Sequence, residues 1–143
     1  MIRRQGLTKD EIDVEATWLV LETAFQDIHR KNASKLSFEE LFRNAYKLVL
    51  KKKQEDLYDR VCRFEEQYLR NSVRPRVNGY GTTAMQVGLE GQASDSNANE
   101  RRMDGEAFMR EVKTAFQDQQ LSMGMITDVL MYMVSAFHYV APL

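Results

Sequence analysis

The sequence predicts an all-α protein, because apolar residues recur three and four positions apart along most of its 143 residues. No stretch of useful length alternates between apolar and polar residues, as a half-buried strand would. At two of the predicted helix starts, Thr or Ser precedes Glu by three positions, which is the pattern of a capping box. These features favour a helical bundle, and the length favours a single domain over residues 1–143.

The first helix is predicted from about residue 8 to residue 31. Thr8 and Glu11 form the capping box at its start. Helical spacing predicts its buried face, which consists of Ile12, Ala16, Leu19, Val20, Thr23, Ala24 and Ile28, broadened by Trp18, Leu21 and Phe25.

The second helix has Ser37 as its predicted N-cap, with Glu40 three places on. It should end in the basic run of residues 51–53, which suits the negative end of the helix dipole. Beyond it we predict a third helix from Glu55 to about Val73, a long flexible inserted loop over residues 78–104, a short fourth helix around residues 108–116, and a Met-rich fifth helix over residues 117–137.

Composition and charge limit the classes of partner. The net charge is -1 and the two signs are mixed along the chain, so we expect neither nucleic acid nor a membrane surface as a partner. A single cysteine, Cys62, excludes an internal disulfide. No apolar run follows Arg3 and Arg4, and no stretch reaches membrane-spanning length. We therefore expect a soluble intracellular protein, cytoplasmic or nuclear, whose partners are proteins.

Residues that carry chemistry are sparse. His29 and His138 lie far apart without a ligand at metal-binding spacing, and we interpret both as surface residues. Cys62 has no nearby histidine or other cationic partner that would activate it, so we interpret it as a packing residue. The sequence thus predicts no catalytic residue, no metal ligand and no cofactor, and it directs attention to surfaces that bind.

The second helix is more apolar than one buried face requires. On a helical wheel Leu41, Ala45, Leu48 and Val49 gather on one side, while Phe38, Phe42 and Tyr46 follow an adjacent edge. The apolar arc spans about 200°, whereas a surface helix needs little more than about 100° to face its core. Either another helix of this chain covers the extra edge or a partner does, and spacing leaves both alternatives open.

Three stretches resemble the N-terminal domain of cullins, most closely the cullin-three type that binds BTB-domain adaptors. They are "IHRKNASKLSFEELFRNAYKLVL" from Ile28, "LYDRV" from Leu57, and "AFQDQQLSMGMITDVLMYM" from Ala115. The similarity covers residues of about 8–77 and 105–133. The resemblance implies a first cullin repeat, a five-helix bundle at the adaptor-binding end of a ubiquitin-ligase scaffold. It also implies a set of adaptor-contacting residues, namely Ser37, Phe38, Glu39, Phe42, Tyr46 and Tyr132.

The chain also departs from that family. Phe42 stands where the family usually has Tyr, and Ser135 stands where an adaptor-contacting Arg is expected. We expect residues 134–143 to form a divergent tail. The N-terminal extension that reaches beside the BTB domain is nearly absent. The homology domain that recruits the RING subunit and accepts Nedd8 is not in this sequence, so we expect the chain to bind neither. The alternative is a self-associating helical bundle or a non-functional truncated product.

Overall fold

A computed structural model describes residues 8–79, 95–131 and 133–135. Within these ranges the chain is helical with no strand, which confirms the predicted all-α class, and the α-helices number five. In chain order the elements are α1 (Lys9–His29), a 3-10 turn (Ala33–Lys35), α2 (Phe38–Leu50), α3 (Gln54–Tyr68), a π-helical turn (Leu69–Val73), α4 (residues 74–79) and α5 (Asp95–Val129). Residue 131 and residues 133–135 are helical as well.

The capping box predicted at the start of α1 is present. The amide of Glu11 donates to Thr8 Oγ1 at 3.3 Å, and the amide of Thr8 donates to Glu11 Oε2 at 2.7 Å. These bonds, led by the one from the Thr8 backbone, lower the pKa of the Glu11 carboxyl. At the other end Lys31 adopts a positive φ of 61°, which turns the chain towards the 3-10 segment.

The chain divides into two compact units. Among the described residues, unit 1 contains residues 8–62, 122–131 and 133–135, and unit 2 contains residues 63–79 and 95–121. In unit 1, α1 packs against α2, and the rings of Trp18 and Phe25 meet edge to face with 6.2 Å between their centroids. The largest fully buried side chains all belong to this unit: Leu21, Phe25, Leu48, Leu57, Ile126 and Val129.

The buried face of α1 differs from the predicted one. The residues that the structure buries are Val14, Trp18, Leu21, Ala24, Phe25 and Ile28. Ile12, Leu19 and Val20 are instead 53 %, 62 % and 43 % exposed. Ile12 and Leu19 lie on the side of the helix opposite the buried one, and both sides carry apolar residues. The predicted face was therefore too broad: it included Trp18, Leu21, Ala24, Phe25 and Ile28, which are buried, but it missed Val14 and included side chains that are exposed.

Unit 2 relies more on polar contacts. Arg76 Nε lies 2.5 Å from Glu111 Oε1, and its Nη2 lies 3.9 Å from Asp118 Oδ2. Gln119 Nε2 donates to Glu65 Oε2 at 3.1 Å, which satisfies a carboxylate that is buried. These bonds connect the α3 and α4 part of the unit to α5.

Helix boundaries in the second half of the chain differ from the predicted ones. The predicted fourth and fifth helices form one continuous helix, α5, because nothing between residues 116 and 121 interrupts helical hydrogen bonding. The helical path also continues past Pro75, at the start of α4. The π-helical turn changes the hydrogen-bond register just before it, and a proline in the first turn of a helix needs no N–H partner.

The predicted loop over residues 78–104 overlaps α5 and a stretch that the structure does not describe. Residues 95–104 already belong to α5, and residues 80–94 lie outside the described residues. Polar composition did not exclude a helix over residues 95–104, because polar residues can form a helix supported by i, i+4 pairs. Arg102 and Glu106 form an i, i+4 ion pair there, with 3.3 Å between Nε and Oε1. The described residues include no helix that is long and apolar enough to span a membrane.

Candidate partner-binding surface on α2

Helix α2 positions the predicted surface through its N-terminal cap. The amide of Glu40 donates to Ser37 Oγ at 3.4 Å, so the predicted N-cap is present and the helix begins at Phe38. Leu41, Ala45 and Leu48 form the buried face of α2. Because this face points to the core, the directions of the other side chains of α2 follow from their positions around the helix.

The edge of α2 next to its buried face carries three rings, Phe38, Phe42 and Tyr46, which we call the aromatic ridge. Successive members are four residues apart, so they lie one above the other along the helix. Phe38 is 38 % exposed and Tyr46 is 40 % exposed, while Phe42 is half-buried. The ridge therefore lies at the border of the core, and its two ends reach the surface. The described helices cover Phe42 in part and leave more than one-third of Phe38 and of Tyr46 accessible to solvent.

A charged strip adjoins the ridge. Arg43 Nη2 donates to Glu39 Oε1 at 2.5 Å, and the two side chains are 70 % and 76 % exposed. The strip lines a shallow polar depression together with its neighbours, which are Ser37, Glu40, Asn44 and Lys47. Sequence reasoning selected Glu39 and missed Arg43, although the i, i+4 spacing of opposite charges was a signal for the pair. Glu39 therefore has an intramolecular partner that an adaptor cation would have to compete with.

The sixth predicted residue, Tyr132, lies outside the described residues. Its neighbour Met131 is 53 % exposed, and Met133 is buried at 4 %. The structure places Ser37 at the N-cap of α2 and Phe38, Glu39, Phe42 and Tyr46 within that helix. Adaptor contact by all six residues stays a prediction.

Other chemistry-bearing residues do not gather into a site within the described ranges. No three His, Cys, Asp or Glu side chains among them come close enough to hold a metal ion. Cys62 is exposed, so the interpretation of this residue as a packing residue was wrong. A hydrogen bond with Cys62 raises the pKa of Tyr58. His29 is half-buried at the end of α1, and His138 lies outside the described residues.

Comparisons with known proteins agree with the motifs of α2 and α5. Residues 18–140 match the cullin family over its alpha solenoid domain. The chain is 38 % identical over 132 residues to Cullin-3 of Caenorhabditis elegans, and 32 % identical over 132 residues to Cullin-3 of Dictyostelium discoideum. It is 34 % identical over 129 residues to Cullin-3 of Schizosaccharomyces pombe.

The three alignments cover 92 %, 92 % and 87 % of this chain. They cover 14 %, 14 % and 16 % of the relatives, so the chain spans only a small part of their length. A family match over most of the chain, together with relatives above 30 % identity, confirms the resemblance seen in the sequence. The chain belongs to the cullin family.

Proposed function

We propose that this chain is a non-catalytic scaffold module of a cullin-RING ubiquitin ligase, and that it binds a BTB-type substrate adaptor in ubiquitin-dependent protein degradation. The observation that carries the proposal is the aromatic ridge. Two of its rings are more than one-third exposed, and the fold of unit 1 leaves them at the surface. Exposed aromatic side chains in a row are typical of interface anchors, because burying them against a partner gains much area at a low entropic cost.

The rings and the charged strip would make different contributions. Phe38, Phe42 and Tyr46 would fill apolar hollows of the adaptor, and Tyr132 would add a fourth ring from the region after α5. Glu39 would supply charge complementarity at the edge, which favours correct register and partner choice over raw affinity. Because Arg43 already pairs with Glu39, an adaptor cation would have to share that carboxylate or displace the guanidinium. Arg43 is therefore a further residue that influences specificity.

Phe42 keeps the ring that the family places there but lacks its hydroxyl. We propose that adaptor binding at this position rests on burial of the ring, with one hydrogen bond fewer than in relatives that carry Tyr. Added as a purified polypeptide, these 143 residues would compete with longer cullins for adaptors.

Isothermal titration calorimetry of the purified chain against a panel of BTB domains tests the proposal. Truncating Tyr46 to Ala should cost about 2–4 kcal/mol, which corresponds to a dissociation constant roughly 30- to 700-fold higher. Tyr58→Ala is the matched control, because Tyr58 is also an exposed tyrosine, at 50 %, but lies on α3. Absence of binding to every BTB domain by a helical chain would overturn the proposal, and so would equal losses in the two variants.

A further inference from the structure

Helix α1 carries a second periodic stripe, separate from its buried face. We call this stripe the α1 seam. Its members are Lys9, Ile12, Ala16, Leu19, Thr23 and Gln26, and all six are exposed. Their separations alternate between three and four residues, which is the a and d spacing of a coiled-coil heptad.

The seam is too apolar at its centre for a face that meets only water. Ile12 is 53 % exposed and Leu19 is 62 % exposed, and Val20 beside them is 43 % exposed. Ile12, Ala16, Leu19 and the edge of Trp18 line one shallow, mostly apolar depression on α1, and Glu15 and Glu22 lie at its border. The residues on the opposite side of α1, which include Leu21 and Phe25, form its contribution to the core of unit 1. Association with another molecule would remove this apolar area from water.

A second copy of α1 in the antiparallel direction fits the seam by size. In that arrangement the a and d positions form mixed layers, so Ala16 lies opposite Leu19 of the second copy, and Ile12 lies opposite its Thr23. Each central layer then combines a large side chain with a smaller one, which allows close packing. A parallel pair would place Ala16 opposite Ala16 and Lys9 opposite Lys9, which leaves a gap and a repulsion between like charges.

Charges at the ends of the seam also favour the antiparallel direction. Lys9 lies level with Gln26 of the second copy, next to its Asp27, so opposite charges meet at both ends of the helix pair. Glu15 approaches Glu22 of the second copy, but Arg60 lies beside this contact and donates to Glu15, with 3.2 Å between Nη1 and Oε2. The guanidinium supplies a positive charge between the two carboxylates.

We infer that the chain self-associates through antiparallel pairing of α1 with α1 of a second copy. The seam is about 27 Å long at about 1.5 Å per residue and uses one helix from each copy, so we expect it to bury less than the roughly 2,000 Å² or more of an obligate dimer. The dimer is therefore weak, with a dissociation constant in the micromolar range. It uses residues other than the aromatic ridge, so it is independent of adaptor binding.

Analytical ultracentrifugation of the 143-residue chain over a range of concentrations tests the inference. The expected result is a monomer–dimer equilibrium in which Leu19→Glu raises the dissociation constant by about tenfold or more. Leu121→Glu is the matched control, because Leu121 is 59 % exposed but lies on α5, and it should leave the equilibrium unchanged. A monomer at every concentration, or equal losses in the two variants, would overturn the inference.

Disulfide trapping tests the direction of the pair. In a Cys62→Ser background, Ile12→Cys and Thr23→Cys are prepared as separate proteins and oxidised alone or mixed. The antiparallel pair predicts a disulfide between the two variants only after mixing, because residue 12 lies opposite residue 23. Disulfide-linked dimers of each variant by itself would show a parallel pair and overturn this arrangement. Tyr46→Ala should leave the ultracentrifugation result unchanged, and Leu19→Glu should leave adaptor binding unchanged, which separates this inference from the proposed function.

Discussion

Arg60 on α3 connects this helix to α1 through an ion pair within unit 1. Its side chain, 21 % exposed, donates from Nε to Asp56 Oδ2 at 3.1 Å within α3 and from both terminal nitrogens to Glu15 on α1. The hydrogen bonds from Arg60 lower the pKa of the Glu15 carboxyl, and Glu15 in turn raises the pKa of the guanidinium. A single residue thus connects α1 to α3 by charge as well as by packing.

The Glu15–Arg60 pair predicts a pH-dependent effect of Glu15→Gln. The carboxyl is 54 % exposed, so the loss near neutral pH should be about 0.2–1 kcal/mol. Because the folded-state pKa lies below the ordinary value of 4.5, the stabilisation is complete above that value and disappears as the pH falls through the folded-state pKa. Urea unfolding of both proteins at about pH 7 and about pH 3 checks this. A difference that grows at acidic pH would contradict the assignment.

At the candidate site, the positions of single residues along α2 were predictable from local sequence patterns. Phe38, Phe42 and Tyr46 follow from a spacing of four, and Ser37 follows from the capping pattern. Their degree of exposure did not follow, since the sequence could not say whether a neighbouring helix covers them. The contact of Arg43 with Glu39 was equally local and was overlooked.

Among the elements, α1 shows that spacing can predict a helix without separating its buried apolar residues from its exposed ones. Both its buried face and its seam are apolar, and the difference between them is contact with α2 and the rest of unit 1. Leu21 is 0 % exposed and Leu19 is 62 % exposed, although they are two residues apart. The packed partners, and not the residue type, decide which leucine stabilises the fold.

This contrast predicts different costs for the same substitution. Leu21→Ala should lower the free energy of unfolding by about 2–5 kcal/mol, because it removes a fully buried side chain and leaves a cavity. Leu19→Ala should change it by less than about 0.5 kcal/mol in dilute solution, where the chain is monomeric. Chemical denaturation at low protein concentration measures both variants. Similar losses for the two leucines would show that the core is not arranged as described.

The long α5 depends on elements before and after the predicted break. Its N-terminal part is held by the contacts of Gln119 and Arg76 in unit 2, and its C-terminal part contributes Ile126 and Val129 to the core of unit 1. Gly124 lies between these parts, and a Cβ atom at this position would meet nothing within 4 Å, so no close approach requires glycine there. The helix continues through this residue without a break.

For the whole molecule, the near balance of 20 basic and 21 acidic residues has a consequence for solubility. Electrostatic repulsion between copies is weakest near the pI of 6.1, where the exposed apolar side chains of α1 and α5 can associate most easily. Turbidity of a concentrated solution should therefore be greatest near that pH and fall towards about pH 8. Turbidity that rises steadily with pH would contradict this expectation.

The sequence by itself determined the all-α class, the start of α1 and α2, and membership in the cullin family, because helix periodicity, caps and family motifs are local patterns. Tertiary structure decided the buried face of α1, the continuity of α5 and the partial exposure of the aromatic ridge. Each of these depends on which distant segments remove a side chain from water or leave it there. For a short stretch of sequence, the buried and the exposed arrangement of an apolar side chain can have similar free energies. Packing against the rest of the chain selects one of them.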